Sequence, residues 1–297
     1  KEISRQLEEM GFEYNTNYCT ILSTGRYAPV DKIDCFLGYS RGENTIREMM
    51  MHDNSMPIVD KKRQTILALG GSTTDYSFYG IKSWPYFLKE RFGEAYTIYN
   101  SGVIGYTSLQ EMLLLLRDAL EQISPDIVIS YSGVNDSLLM KYAFTNNYLI
   151  ETMNTLRDSY IRVNGELPEI YYSESLNSPA ENYLRNMRIM YAVCKEFDIK
   201  FIGILQPTMV TGKYKKDAVD IAYLSDSEMK KKIDISLCFY DNVKKQIKQY
   251  PFIYDLTSIF DNETDCFYEW CHCNENGNKI IAEHVYNILL TERNADL

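Results

Sequence analysis

No stretch of the 297 residues approaches the roughly 18 consecutive apolar residues of a membrane-spanning helix, so no span within this chain is expected. Basic residues are in deficit, 31 Lys and Arg against 41 Asp and Glu. The resulting formal charge of −10 disfavours nucleic acid or an anionic membrane surface as partner. No internal repeat or low-complexity tract is present, and 45% hydrophobic with 24% charged residues is ordinary globular composition, which excludes a fibre or a disordered chain. Cysteine is too irregular for a disulfide framework. The seven residues, Cys19, Cys35, Cys194, Cys238, Cys266, Cys271 and Cys273, are odd in number and scattered, which favours a reducing compartment and a cytoplasmic location. The chain starts without Met, so an exported or membrane-tethered protein that has lost a segment before Lys1 is the alternative. Its first residues, KEISRQLEEMGF, have the pattern of a short amphipathic helix rather than a signal peptide. Histidine is scarce, with His52, His272 and His284 only.

Against these absences stands one informative stretch, Thr65 to Asp75, read as TILALGGSTTD. An apolar run stopped by Gly70 and Gly71 predicts a buried strand whose end turns sharply, the glycines supplying backbone angles that a side chain would forbid. Ser72 then falls at the carboxyl end of that strand, the edge where ligands bind in an open parallel sheet. Gly70-Gly71-Ser72-Thr73 also suits a turn with a helix N-cap, or a phosphate-binding loop.

The segment before it, residues 1–62, reads as an N-terminal extension packing on the main domain: a short helix, apolar islands at Cys19–Leu22 and Cys35–Tyr39, and a charged lead-in from Pro57 to Arg63. His52 is expected at the surface or in a lid. From residue 63 to 297 the pattern alternates strand and helix, the signature of a parallel sheet covered on both faces. Ser83-Trp84-Pro85 starts a helix. Strands are expected at Tyr96–Tyr99, Asp126–Tyr131, Lys200–Leu205 and Phe252–Asp255, with helices at about 108–123, 180–197 and 276–290 and another ending near Gln249. Residues 137–176 and 208–223 break the rhythm and are expected to be insertions, the first of them a lid or substrate-facing segment. The whole predicts a flavodoxin-like three-layer α/β/α sandwich on a five-stranded parallel sheet.

In that topology the ends of the first three strands share one edge. Ser72 follows the first, Gly102 and Gly105 the second, Gly133 and Asn135 the third, and Glu269-Trp-Cys-His272 lies just before the last helix, within reach of the same edge. These four blocks, in this order, resemble those of the SGNH/GDSL hydrolases over about residues 64–290, with GGSTT and the following Trp-Pro resembling the nucleophile block of one bacterial branch. The resemblance implies a serine esterase without metal or cofactor. Ser72 would be the nucleophile and His272 its base. Glu269 would orient the imidazole, and the N–H groups of Ser72 and Gly105 would form the oxyanion hole with the Asn135 amide. Thr73, Asp136 and Trp270, adjoining these residues, are the expected substrate contacts.

The family usually carries Asp three residues before the histidine. Glutamate can do the same work with a longer reach, while Asp265 or a backbone carbonyl could take its place. Cys271-His272-Cys273 invites a metal reading, but a metal on His272 would occupy the lone pair the serine proton needs. The two cysteines are therefore expected to pack near the floor of the site, with one exposed beside the pocket. The substrate expected is a small acyl ester, an acetyl group on a carbohydrate. A lipase or thioesterase for longer chains, an acyltransferase and a catalytically silent binding module are the alternatives.

Overall fold

The apolar runs become strands because each side chain has a face to bury. In the computed structural model of the chain, residues 32–34, 38–40, 46–48, 63–75, 81–139 and 177–295 are described. β4 (Gln64–Gly70) is buried along nearly its whole length, and its residues alternate between the two faces of the sheet. Ile66 and Ala68 join one apolar cluster, with Trp84, Leu88 and Val285, whereas Leu67 and Leu69 join the other, with Leu114, Tyr183 and Val243.

Around β4 the order is β3-β5-β4-β6-β7-β8. β5 (Tyr96–Gly102), β6 (Ile127–Ser132), β7 (Lys200–Leu205) and β8 (Ile253–Asp255) run parallel with β4. The five parallel strands thus have the flavodoxin-like order 2-1-3-4-5, and chain direction away from β4 reverses beside it. β3 (Arg47–Glu48) adds an antiparallel edge, Arg47 opposite Asn100, and β1 (Lys32–Asp34) pairs with β2 (Gly38–Ser40) in a separate ribbon.

Helices cover both faces. α1 (Trp84–Phe92) and the closing α8 (Glu275–Ala295) lie on one, while α2 (Ser108–Leu114), α5 (Pro179–Glu196) and α7 (Ser227–Ile247) lie on the other. α2 runs through a π turn (Leu115–Ala119) into the short α3 (Leu120–Gln122), and α4 (Val134–Leu139) starts directly after β6. The Thr107 N–H and hydroxyl donate to Gln110 Oε1, which fixes where α2 begins. Ser83 occupies the N-cap of α1, but its hydroxyl does not cap the helix; it accepts from Asn100 Nδ2 at 3.4 Å.

Two boundaries differ from expectation for identifiable reasons. β5 runs on to Gly102, three residues past Tyr99, because Gly70 pairs with Gly102 and no break in the ladder intervenes. The piece at 208–223 is not irregular throughout: α6 (Ala218–Leu224) forms there, with the Asp217 side chain accepting from the Asp220 N–H at 2.8 Å. The expected N-terminal helix, the island at Cys19–Leu22, His52 and the insertion beyond residue 139 as far as 176 lie outside the described residues.

Candidate active site

β4 ends in a one-turn loop in which the Gly71 carbonyl accepts from the N–H groups of Thr74 and Asp75 at 3.1 and 3.0 Å. Both glycines before Ser72 are required by space rather than by backbone angle, since neither has a positive φ. A Cβ on Gly70 would sit 2.1 Å from Thr74 Oγ1, and one on Gly71 would sit 2.4 Å from Asn135 Nδ2. Three elements hold the loop. Trp84 Nε1 donates to Thr74 Oγ1 at 3.1 Å, Asn100 Nδ2 to the Thr74 carbonyl at 2.7 Å, and Val103 N–H to the Gly70 carbonyl at 3.0 Å. Trp84 is fully buried, so truncating it would cost about 3–5 kcal/mol and release the loop as well.

On one side of Ser72 lies a hairpin in which Phe267 pairs with Cys273. The Tyr268 N–H donates to the His272 carbonyl at 2.9 Å, and Met209 N–H ties the hairpin to the end of β7 through the Trp270 carbonyl at 2.8 Å. His272 Nε2 lies 2.7 Å from Ser72 Oγ. Its Nδ1 is in close hydrogen-bond contact with Glu269 Oε1. Two further donors reach the same carboxylate: Cys271 Sγ at 3.2 Å from Oε1 and Tyr223 Oη at 3.3 Å from Oε2. Burial pushes the Glu269 carboxyl up, but the hydrogen bond and positive charge that His272 can supply, with the thiol and phenol donors, outweigh it and hold Glu269 below the ordinary glutamate value. The serine hydroxyl, imidazole and carboxylate are thus in line for proton transfer.

On the other side, Gly105 takes a φ of +78° in the loop after β5, a conformation that favours glycine. Asn135 sits in the first turn of α4 and gives one amide hydrogen to the Tyr106 carbonyl at 2.8 Å, which leaves the second available to a ligand. A buried polar cluster lies behind this side. Asp136 accepts from the Ser108 N–H at 3.1 Å and the Ser108 hydroxyl at 2.5 Å, and Asn186 Nδ2 donates to that hydroxyl at 3.0 Å. Glu111 accepts from Ser130 Oγ at 2.5 Å and from Ser132. Burial pushes Asp136 up to about 6 and Glu111 up to about 8.

Ser72, His272, Glu269, Gly105 and Asn135 are therefore brought to one edge, and Thr73 lines the cleft beside them. Asp136 and Trp270 are not placed to touch a substrate. Asp136 is fully buried under the Ser108 end of α2, and Trp270 is 4% exposed among core side chains. Asp265 turns away from the imidazole, its carboxylate and carbonyl accepting from Asn274 Nδ2, and His284 is exposed on α8. Cys273 borders the cleft, whereas Cys271 is not mere packing. Glu269, Cys271 and His272 place a carboxylate, a thiol and an imidazole within 4.8 Å of one another, donors that could hold a metal ion. Sequence reasoning missed Tyr106, Tyr223 and the thiol contact. Tyr106 directly follows Gly105 and Cys271 lies within Glu269-Trp-Cys-His272, while nothing in the sequence links Tyr223 to a residue 46 positions away.

The cleft next to Ser72 and His272 measures about 20 Å³, room for about one water-sized group. Asp75, Ser83, Tyr268 and Asn278 are among its lining residues, and Tyr268 is half exposed.

The chain matches the GDSL-like lipase/acylhydrolase family over residues 66–285 and belongs to it. It is a carboxylic ester hydrolase of the SGNH/GDSL type. No curated protein sequence matches it. Among solved structures it is similar to the acetyl xylan esterase AlAXEase, at 14% identity and a TM-score of 0.47 over 75% of this chain and 98% of that one. It is also similar to Axe2, an acetylxylan esterase from Geobacillus stearothermophilus, at 13% identity and a TM-score of 0.44 over 74% and 91%. LAE5, an α/β hydrolase from the metagenome of Lake Arreo, Spain, is 15% identical with a TM-score of 0.43 over 74% and 91%.

Proposed function

We propose that this esterase works through an acyl-enzyme on Ser72 and removes a small acyl group, acetyl, from a carbohydrate. The observation that carries the mechanism is the 2.7 Å approach of Ser72 Oγ to His272 Nε2, with Nδ1 turned to Glu269. With Nδ1–H held by the carboxylate, Nε2 keeps its lone pair and accepts the serine proton as Oγ attacks the ester carbonyl. The carbonyl oxygen gains negative charge, which the Ser72 and Gly105 N–H groups and the free amide hydrogen of Asn135 are suited to receive. The imidazolium then gives its proton to the departing alcohol. Water, deprotonated by the same nitrogen, hydrolyses the acyl-enzyme and regenerates the serine.

The acyl preference rests on the cleft beside Ser72, which has room for a methyl-sized group. The carbohydrate reading rests on its polar lining and on the half-exposed Tyr268 ring, a flat surface on which a sugar could stack. The test is hydrolysis of acetyl, butyryl and octanoyl nitrophenyl esters beside acetylated sugars, with fluorophosphonate labelling of wild type and Ser72→Ala. Acetyl esters should be turned over fastest and labelling should vanish in the variant. A preference for octanoyl would remove the small-acyl reading, and full turnover by Ser72→Ala would remove the mechanism.

A further inference from the structure

Glu269 departs from the family pattern by one methylene, and that methylene adds a rotatable bond between the backbone and the carboxylate. A carboxylate on a longer arm orients an imidazole only if something else fixes where its oxygens point. We propose that Cys271 is a positioning residue of the catalytic relay, its S–H donating to Glu269 Oε1 so that the glutamate presents this oxygen to His272 Nδ1. The proposal rests on the reading of Ser72, His272 and Glu269 given above.

Four observations support it. Cys271 Sγ is 3.2 Å from Oε1, the oxygen that meets the imidazole, and 3.5 Å from Nδ1 itself. The side chain is 6% exposed, so water does not compete for the contact from the sulfur side. Tyr223 Oη occupies the second oxygen at 3.3 Å, so the two donors grip both ends of the carboxylate and limit its rotation. The same hairpin carries all three residues, with Glu269 and His272 on either side of Cys271 along the chain. A one-residue offset, which sends side chains to opposite faces of an extended strand, does not part Cys271 from His272 in this turn.

The experiment compares Cys271→Val, close in volume but without a donor, with Cys271→Ser, which keeps one, and measures kcat and KM for a nitrophenyl acetate. Cys271→Val should lower kcat by roughly three- to tenfold with KM nearly unchanged, as befits a weak S–H donor acting on the relay. Cys271→Ser should recover most of that loss. In a Glu269→Gln background, Cys271→Val should cost no further rate, because the carboxylate it positions is gone. Equal losses for Val and Ser, or the same loss from Cys271→Val in both backgrounds, would overturn the proposal in favour of a packing role. Should Glu269→Gln itself turn over at the wild-type rate, the relay reading fails first. A fall in Glu269→Gln without a fall in Cys271→Val overturns the role of Cys271 alone.

Discussion

Two glutamates at the same sheet edge are driven in opposite directions. Glu111, under the oxyanion side, has two hydroxyl donors and is pushed up to about 8. Glu269, in the hairpin, has an imidazole, a thiol and a phenol around it and is held below its ordinary value. Hydroxyl donors are present in both places, so their number does not decide the charge. What differs is full burial beside another carboxylate, Asp136, in the first case, and a neighbour able to carry positive charge in the second. Burial thus favours the protonated form of the acid behind the Asn135 side, while the hairpin favours the ionised form of Glu269.

The largest way to break this comparison is to remove the partner that lets Glu269 stay charged. His272→Ala should lower kcat by roughly four orders of magnitude or more, measured by single-turnover hydrolysis of a nitrophenyl acetate, because base and proton carrier are lost together. Glu269→Gln should cost on the order of a thousandfold in kcat with little change in KM, since the imidazole loses its orienting anion and its charge partner. A smaller loss, roughly a hundredfold or somewhat more, is expected for Asn135→Ala, which takes one donor from the oxyanion and leaves the relay intact; the kcat and KM split reads it.

Glu111→Gln should change stability rather than rate. A carboxyl whose pKa rises from 4.5 unfolded to about 8 folded keeps its proton in the native state while the unfolded chain has released it. Its contribution is fully present below pH 4.5, declines as pH rises and is gone by about pH 8. Glutamine has no such dependence and can still bond both serines, so urea denaturation should find the variant more stable by on the order of 3 kcal/mol at pH 7, with the gap closing towards pH 4.5. The smallest effect is expected from prolonged chelation, which should leave ester hydrolysis unchanged; loss of activity restored by stoichiometric zinc would instead give Glu269, Cys271 and His272 a metal.

Much of the site was legible because strand ends are. A short apolar run such as Ile66–Leu69 bounded by glycines reads as a buried strand, and its stop at Gly70 and Gly71 marks where Ser72 emerges. Asn135 and His272 were legible through the order of the four blocks that resemble the SGNH/GDSL hydrolases, since a Gly-x-Asn-Asp taken alone reads as a turn. The reason for Gly70 and Gly71 was not, because crowding by Thr74 and by Asn135, 64 residues beyond Gly71, has no local signal. Nor was β3, two residues long and recruited only by the free edge of β5. Asp136 and Trp270 show the converse error: nearness in sequence to catalytic-type residues suggested contact with substrate, whereas the helix turn and the hairpin send both side chains into the core.

The contact between Gly71 and Asn135 has a consequence for how such an enzyme can change. Because there is no carbon atom at position 71 beyond the backbone, the amide of Asn135 rests directly against the strand end that carries Ser72. Under the proposed mechanism the gauge between attacking oxygen and anion-receiving donor is thus set by two touching pieces. A side chain at position 71 would displace that amide from the strand end, so substitution there is expected to disturb the alignment of donor and nucleophile even though position 71 itself carries no reacting atom.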